Sequence, residues 1–284
     1  MAYQKVFKRY EIKYMITQEQ KELILSAMEP YMRPDRYGLS TIRNLYYDTE
    51  DHILACRSIA KPDFKEKLRI RSYSRAERET EVFVELKRKC EKLVYKRRIG
   101  LPERDAMAWT CARADVGHRE ELNEQMISEI DYFLDCYQGL KPVMFISYRR
   151  EAYRMREESI GLQTGGDDFR VTFDDEIIAR DTDLSLRSDI YGTELLPHGM
   201  VLMEIKCSGG IPLWMIEILS EEHIYKTSFS KYGKAYTLMA IPDHVPVTVT
   251  EASRHKADER KWAGRKAVRP ETGPRFGILR HASS

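Results

Sequence analysis

No apolar run in this sequence is long enough to cross a bilayer, since MVLM (200–203) and LWMI (213–216) fall far short of the roughly 20 residues required. The basic residues of the opening MAYQKVFKRY do not lead into an apolar stretch, so the pattern of a secretory leader is missing and a cytoplasmic setting is expected. Cysteine is scarce: five residues, widely spaced and never as C-x-x-C, which speaks against a disulfide framework and a zinc ribbon. The histidines include no H-E-x-x-H, and no serine stands in a G-x-S-x-G setting, so zincin and serine-hydrolase chemistry lack their residues. An internal period of 20–50 residues is also missing, which disfavours a solenoid. Nor is there an excess of one charge: 47 basic against 45 acidic residues leave a net +2, too little for whole-molecule attraction to nucleic acid.

What is present is charge in a particular place. Residues 67–98 hold twelve Lys or Arg against five Glu, in a stretch that reads as strands. FKRYEIKYMI (7–16) alternates strictly, with Arg9, Glu11 and Lys13 on one side and Tyr10, Ile12 and Tyr14 on the other. KEKLRIRSYS (65–74) sets Lys67, Arg69, Arg71 and Tyr73 against Leu68 and Ile70. EVFVELKRK (81–89) repeats the design with Phe83, Glu85, Lys87 and Lys89 against Val82, Val84 and Leu86, and VYKRRIGL (94–101) pairs Lys96 with Arg98. These three strands, joined by short polar turns, predict an antiparallel meander.

Strand patterns also occur at RNLYYDT (43–49), VMFISYRREAYR (143–154), FRVTFDDEI (169–177) and MVLMEIKCS (200–208), with Gly165–Asp168 as a turn between two of them. Thr17 and Gln20 form a T-x-x-Q capping box ahead of Leu23, Ile24, Ala27 and Met28 at helical spacing. A helical insertion is expected at about 103–138, further helices around 53–57 and over 213–222, and a last one capped by Ser230. Beyond Pro242 the chain is basic and aperiodic, and 243–284 reads as a disordered tail after one domain spanning 1–242.

Charged residues on a single strand are an ordinary protected edge. At least six strands carry two or more of them at i, i+2, however, and their opposite faces are apolar. If the apolar faces pack outward on helices, the charged faces turn inward, giving a closed antiparallel barrel of seven or eight strands with a polar lumen. A lumen full of cations requires an anion, because like charges raise one another's energy. Arg matches phosphate oxygens bidentately and Lys follows a chain of them as compact charges. Glu85 and Glu204 lie two residues before Lys87 and Lys206. A carboxylate beside bound phosphate implies a divalent ion between them, Mg²⁺ or Mn²⁺. Strand acids such as Glu151 and Asp174 are expected to pair with neighbouring Arg149 or Arg170. The strand aromatics Tyr10, Tyr14 and Tyr46 are expected to alternate away from the charged set, which disfavours a stacking surface for nucleic acid. The tryptophans Trp109, Trp214 and Trp262 read as packing residues.

The segments RYEIKYMI, NLYYDT, KLRIRSY, VFVELKRK, YKRRIGL, YRREAYR, RVTFD, LMEIKCSG and SFSKYG, in this order from about residue 7 to 240, resemble the VTC domain, the polyphosphate polymerase domain of the vacuolar transporter chaperone complex, within the triphosphate tunnel (CYTH-like) superfamily. The resemblance implies an α+β fold built on an eight-stranded antiparallel β-barrel tunnel with surrounding helices, fed by ATP or another triphosphate and producing inorganic polyphosphate. It implies catalytic roles for Lys13, Arg69, Arg71, Lys87, Lys96, Arg150, Arg170, Lys206 and Lys231, phosphate contacts from Arg98 and Ser230, and metal ligation by Glu204, Glu85 and Glu11. Where the superfamily's first strand usually reads E-x-E-x-K, this one has Arg9, Glu11 and Lys13, which favours polymerase over hydrolase or cyclase. A triphosphatase or a non-catalytic polyphosphate-binding module remains the alternative. No nucleic acid and no membrane span of its own are expected, with room for association with a membrane partner.

Overall fold

The computed structural model describes residues 10–90, 93–115, 121–159 and 169–239, and the backbone of 247–248. Arg9, the Gly165–Asp168 turn, Trp262 and most of the tail lie outside them. Along the chain run β1 (Tyr10–Thr17), α1 (Gln18–Met28), β2 (Met32–Asp48), α2 (Ile53–Ala60), β3 (Phe64–Ser72), β4 (Glu81–Cys90), β5 (Leu93–Pro102), α3 (Glu103–Ala112), α4 (Glu121–Cys136), β6 (Lys141–Met155), β7 (Arg170–Arg180), β8 (Tyr191–Glu194), β9 (Met200–Cys207), α5 (Leu213–Glu221), β10 (Lys226–Thr227), α6 (Lys231–Met239) and β11 (Val247–Thr248). Beyond Pro242, Val247 and Thr248 pair with Gly192 and Tyr191 of β8.

All described pairings are antiparallel, and eight of the strands are eight residues or longer. The ladder runs β10-β1-β9-β7-β6-β2-β3-β4-β5, and among the described residues no ladder joins its two ends. Side chains do meet across that gap. β1 and β4 are six steps apart on the path, roughly 29 Å in a flat sheet at about 4.8 Å per strand. Yet Lys87 Nζ of β4 lies 3.4 Å from Glu11 Oε2 of β1. The sheet is therefore strongly curled, with its charged residues on the concave side.

The convex side is apolar and covered by helices. Tyr14 and Ile16 of β1, Val171 and Phe173 of β7, and Val201, Met203, Ile205 and Cys207 of β9 form one buried cluster with Ile24 and Met28 of α1 and Trp214, Met215 and Leu219 of α5. Alternation explains the arrangement: one face of each strand joins this cluster, and the intervening residues point the other way. Helix α1 starts where expected, with Thr17 Oγ1 accepting from Gln20 N–H at 3.2 Å and Gln20 Oε1 accepting from Thr17 N–H at 3.1 Å. Trp109 and Trp214 are packing residues, the latter stacked on Tyr31 at 4.9 Å.

Strand β2 is longer than the sequence suggested, reaching back to Met32. Pro34 and Gly38 break its alternation, and its pairing with β6 shifts register between Pro34 and Leu39. Such an interruption hides a strand from any period-2 reading.

Because apolar and charged residues of one strand serve opposite faces, neighbouring substitutions should behave differently. Ile205→Ala should cost about 2–5 kcal/mol of unfolding free energy in urea titrations, whereas Lys206→Met, on the concave face, should leave stability unchanged or raise it.

Candidate functional site

The concave face is organised around a few carboxylates. Glu85 on β4, only 1% exposed, is the anchor of the first group. Its Oε2 accepts from Arg69 Nε at 2.9 Å and lies 3.8 Å from Arg71 Nε, while its Oε1 is 2.6 Å from Lys96 Nζ and 3.7 Å from Arg98 Nη1. The register produces this: Arg69 of β3 and Arg98 of β5 lie directly opposite Glu85 on its two sides. Burial alone would raise the Glu85 pKa, but Arg69, Arg71 and Lys96 overcome it and hold the carboxyl well below the usual range.

A second group centres on Glu204 of β9 and Asp174 of β7. Asp174 receives both Nε and Nη2 of Arg150 at 2.5 and 2.6 Å and Lys231 Nζ at 2.5 Å. Glu204 is 3.3 Å from Lys13, 3.5 Å from Lys231, 3.5 Å from Arg150 and 3.7 Å from Lys206. Burial opposes ionisation of Glu204, yet Lys231, Lys13, Lys206 and Arg150 keep its pKa far below the ordinary value. Asp174 also keeps Lys231 and Arg150 charged, against their burial. Glu11 extends the second group to Lys87, with Lys13 at 3.5 Å and Lys87 at 3.4 Å. Burial opposes its ionisation too, but Lys87, Lys206 and Lys13 bring its pKa down to about 2.

Of the fourteen residues singled out from the sequence, thirteen belong to this connected surface. Ser230 joins it by accepting from Lys67 Nζ at 3.0 Å, and it caps α6 by accepting from Gly233 N–H at 3.1 Å. Arg170 stands apart: it is 43% exposed and bonds Asp35 Oδ2 at 2.5 Å, the same carboxylate whose Oδ1 accepts from the N–H groups of Tyr37 and Gly38.

Three readings are corrected. Asp174 pairs with Arg150 and Lys231, while Arg149 goes to Asp175 at 2.8 Å. Asp174 therefore faces the concavity with Thr172, a phase visible in T-x-D. Glu151 pairs with the fully buried Lys21 of α1 at 2.7 Å. Tyr46 does not alternate away from the charged set: it lies opposite Arg69 in register, and its hydroxyl accepts from Arg69 Nη1 at 2.9 Å. It stacks on Tyr232 at 4.7 Å, so both rings are occupied with each other. Other hydroxyls that the sequence reading passed over do similar work, Tyr148 accepting from Arg71 at 3.1 Å and Tyr73 from Arg98 at 3.1 Å. Lys67 was visible on the β3 face but not singled out, because nothing in the sequence distinguishes it from its basic neighbours.

The model of the VTC domain matches residues 8–240. The chain belongs to the VTC domain family. A search of curated proteins finds no match. Similar solved structures include a putative adenylate cyclase from Bacillus halodurans, 15% identical, covering 78% of this chain and 92% of that one, with a TM-score of 0.45. A putative adenylate cyclase from Vibrio parahaemolyticus is 9% identical, covers 82% and 98%, and has a TM-score of 0.40. A putative adenylyl cyclase from Hippeastrum, described as having a dominant triphosphatase activity, is 15% identical, covers 82% and 97%, and has a TM-score of 0.43. The chain is thus a VTC domain protein whose curled sheet carries a cationic concave face. Among the described residues no helix is long and apolar enough to cross a membrane.

The Glu85 group makes a direct prediction. Glu85→Gln leaves four cations without their shared counter-charge, and unfolding free energy should fall by about 3–5 kcal/mol, the range for a broken buried ion pair. Added tripolyphosphate should restore much of that loss, as read by thermal melts.

Proposed function

We propose that this chain is a polyphosphate polymerase, transferring the terminal phosphoryl group of ATP to a growing polyphosphate chain inside a tunnel formed by closure of the curled sheet. The observation that carries this reading is the imbalance on the concave face. Ten cations (Lys13, Lys67, Arg69, Arg71, Lys87, Lys96, Arg98, Arg150, Lys206 and Lys231) meet only four carboxylates (Glu11, Glu85, Asp174 and Glu204). The excess suits a ligand with many closely spaced negative charges. Membership of the VTC domain family supports the choice of a phosphate chain.

Catalysis would then rest on positioning and electrostatics. Arg69, Arg71 and Arg150 are held in fixed orientations by Glu85, Asn44, Tyr148 and Asp174, so their remaining N–H groups are aimed before the substrate arrives. The lysines supply charge along the chain without demanding one geometry. A phosphoryl group passing through a loose transition state spreads charge over its oxygens, and preset cations stabilise that spread without reorganising. The acceptor is itself a phosphate oxygen, so no protein nucleophile is required.

A divalent ion fits two of the three acids assigned to it. Mg²⁺ is commonly held by one or two carboxylates together with phosphate oxygens and water. Glu11 and Glu204 share Lys13 as a neighbour, 3.5 and 3.3 Å away, and are the residues that would hold the ion. Glu85 is ringed by four cations, as Glu204 is, but no second carboxylate shares them, so it stands without an acid partner for the ion. Among the described residues no group of three or more His, Cys, Asp or Glu could hold a metal ion by itself. When bound, Mg²⁺ or Mn²⁺ would supply positive charge that offsets the negative charge of the phosphate chain.

Incubation of purified protein with ATP and Mn²⁺, with products resolved by size, tests the proposal. Polymer supports it, release of orthophosphate alone means a triphosphatase, and unchanged ATP with retained binding means a polyphosphate-binding module. Lys87→Ala, Arg69→Ala and Glu204→Ala should each lower polymer formation by at least about a hundredfold. Circular dichroism should remain native for Lys87→Ala, whose side chain is the most exposed of the three.

A further inference from the structure

Lys67 differs from the nine cations gathered around Glu11, Glu85, Asp174 and Glu204. Lys13, Arg69, Arg71, Lys87, Lys96, Arg98, Arg150, Lys206 and Lys231 each have a carboxylate oxygen within 4.0 Å. Lys67 has none among the described residues, and its hydrogen bond is to a neutral group, Ser230 Oγ, at 3.0 Å. That hydroxyl already accepts from Gly233 N–H.

The surroundings of Lys67 come from every element that packs against it. On its own strand lie Lys65 and Arg69; directly opposite in register on β4 is Lys87; from β1 comes Lys13. From α6 the Tyr232 ring sits 5.9 Å from Nζ. The nearby Asp48 of β2 is consumed by the Tyr232 hydroxyl at 2.5 Å and by the N–H groups of Thr49, Leu54 and Ala55 at 2.9 Å. Glu11 and Glu204 are engaged with Lys13 and Lys87 instead.

We infer that Lys67 is an additional phosphate-binding residue of this tunnel, one that sits neutral in the free protein at alkaline pH and takes up a proton from solvent when a phosphate chain enters. The inference rests on the phosphate-tunnel reading above. Burial first, then Lys13, Lys87, Lys65 and Arg69, push the Lys67 pKa from 10.5 down to about 7. A phosphate oxygen at Nζ supplies the missing counter-charge, so the amine lone pair captures a proton and forms an ammonium–phosphate hydrogen bond. No covalent bond changes. The same group leaves a mark on stability. Between about pH 7 and 10.5 the unfolded chain holds a proton that the folded one lacks. Lys67 therefore makes stability rise with pH across that window, and Lys67→Met flattens the rise.

The test is titration calorimetry of the full chain with a non-hydrolysable ATP analogue. It is run at about pH 8, above the second phosphate pKa of roughly 6, in buffers of different ionisation enthalpy. Wild-type protein should take up about one proton more per ligand than Lys67→Arg, which is permanently charged, with the difference vanishing near pH 6. Lys67→Arg should bind at least as tightly as wild type at pH 8, and Lys67→Met should bind at least about tenfold more weakly at pH 6, for the loss of one charge-assisted hydrogen bond. Equal proton uptake by wild type and Lys67→Arg overturns the proposal, as does unaltered affinity in Lys67→Met. Wild-type protein that binds neither the analogue nor tripolyphosphate overturns the tunnel function itself, a result distinguishable from either of those.

Discussion

The structure depends on one constraint: ten like charges share the inner face of a single curled sheet, and only four carboxylates hold them there. At about 4 Å two cations repel by roughly 4 kcal/mol even at an effective dielectric of 20, so the fold survives only if each cation finds a partner or loses its proton. Both solutions are used. Glu85 serves four cations at once, Asp174 binds Arg150 and Lys231 at 2.5 Å, and Lys67 is driven toward neutrality. The carboxylates are as necessary to the cationic surface as the cations themselves.

The same constraint separates two acids that look alike in the sequence. Glu85 and Glu204 both stand in E-x-K on a strand, yet their environments differ because their neighbouring strands differ. Glu85 lies between Arg69 and Arg98 in register, so every side of its carboxylate meets a cation. Glu204 lies between Lys13 of β1 and Thr172 of β7, with Glu11 and Asp174 within the same set of contacts. Both are ringed by four cations, but only at Glu204 are those cations shared with other acids, Glu11 and Asp174. Spacing within one strand carries no information about this; cross-strand register does.

Much of the architecture was legible because charge and hydrophobicity alternate with opposite phase on β1, β3, β4, β7 and β9. The T-x-x-Q box and the serine ahead of α6 were legible because capping is local chemistry. The first half of β2 was hidden by Pro34 and Gly38, since the strand continues across a register shift that no periodicity survives. Partner choice was hidden as well. Asp174 faces Arg150 because β6 and β7 pair with a bulge between Ser147 and Arg149, and that slip reassigns which arginine meets which aspartate. Tyr46 was misplaced for a related reason: its phase is set by its ladder with β3, not by its immediate neighbours.

An ordinary small barrel fills its interior with apolar side chains, and any change there endangers the fold. Here the apolar residues face outward beneath α1 and α5, and the charged residues occupy the opposite face. Folding and chemistry are thereby written on alternate letters of the same strands. An ancestral sequence could exchange every second residue, acid for base or Lys for Tyr, while the intervening letters kept the helices docked. As long as the inner cations keep their carboxylate anchors, such a scaffold is free to acquire new substrates by substitution alone.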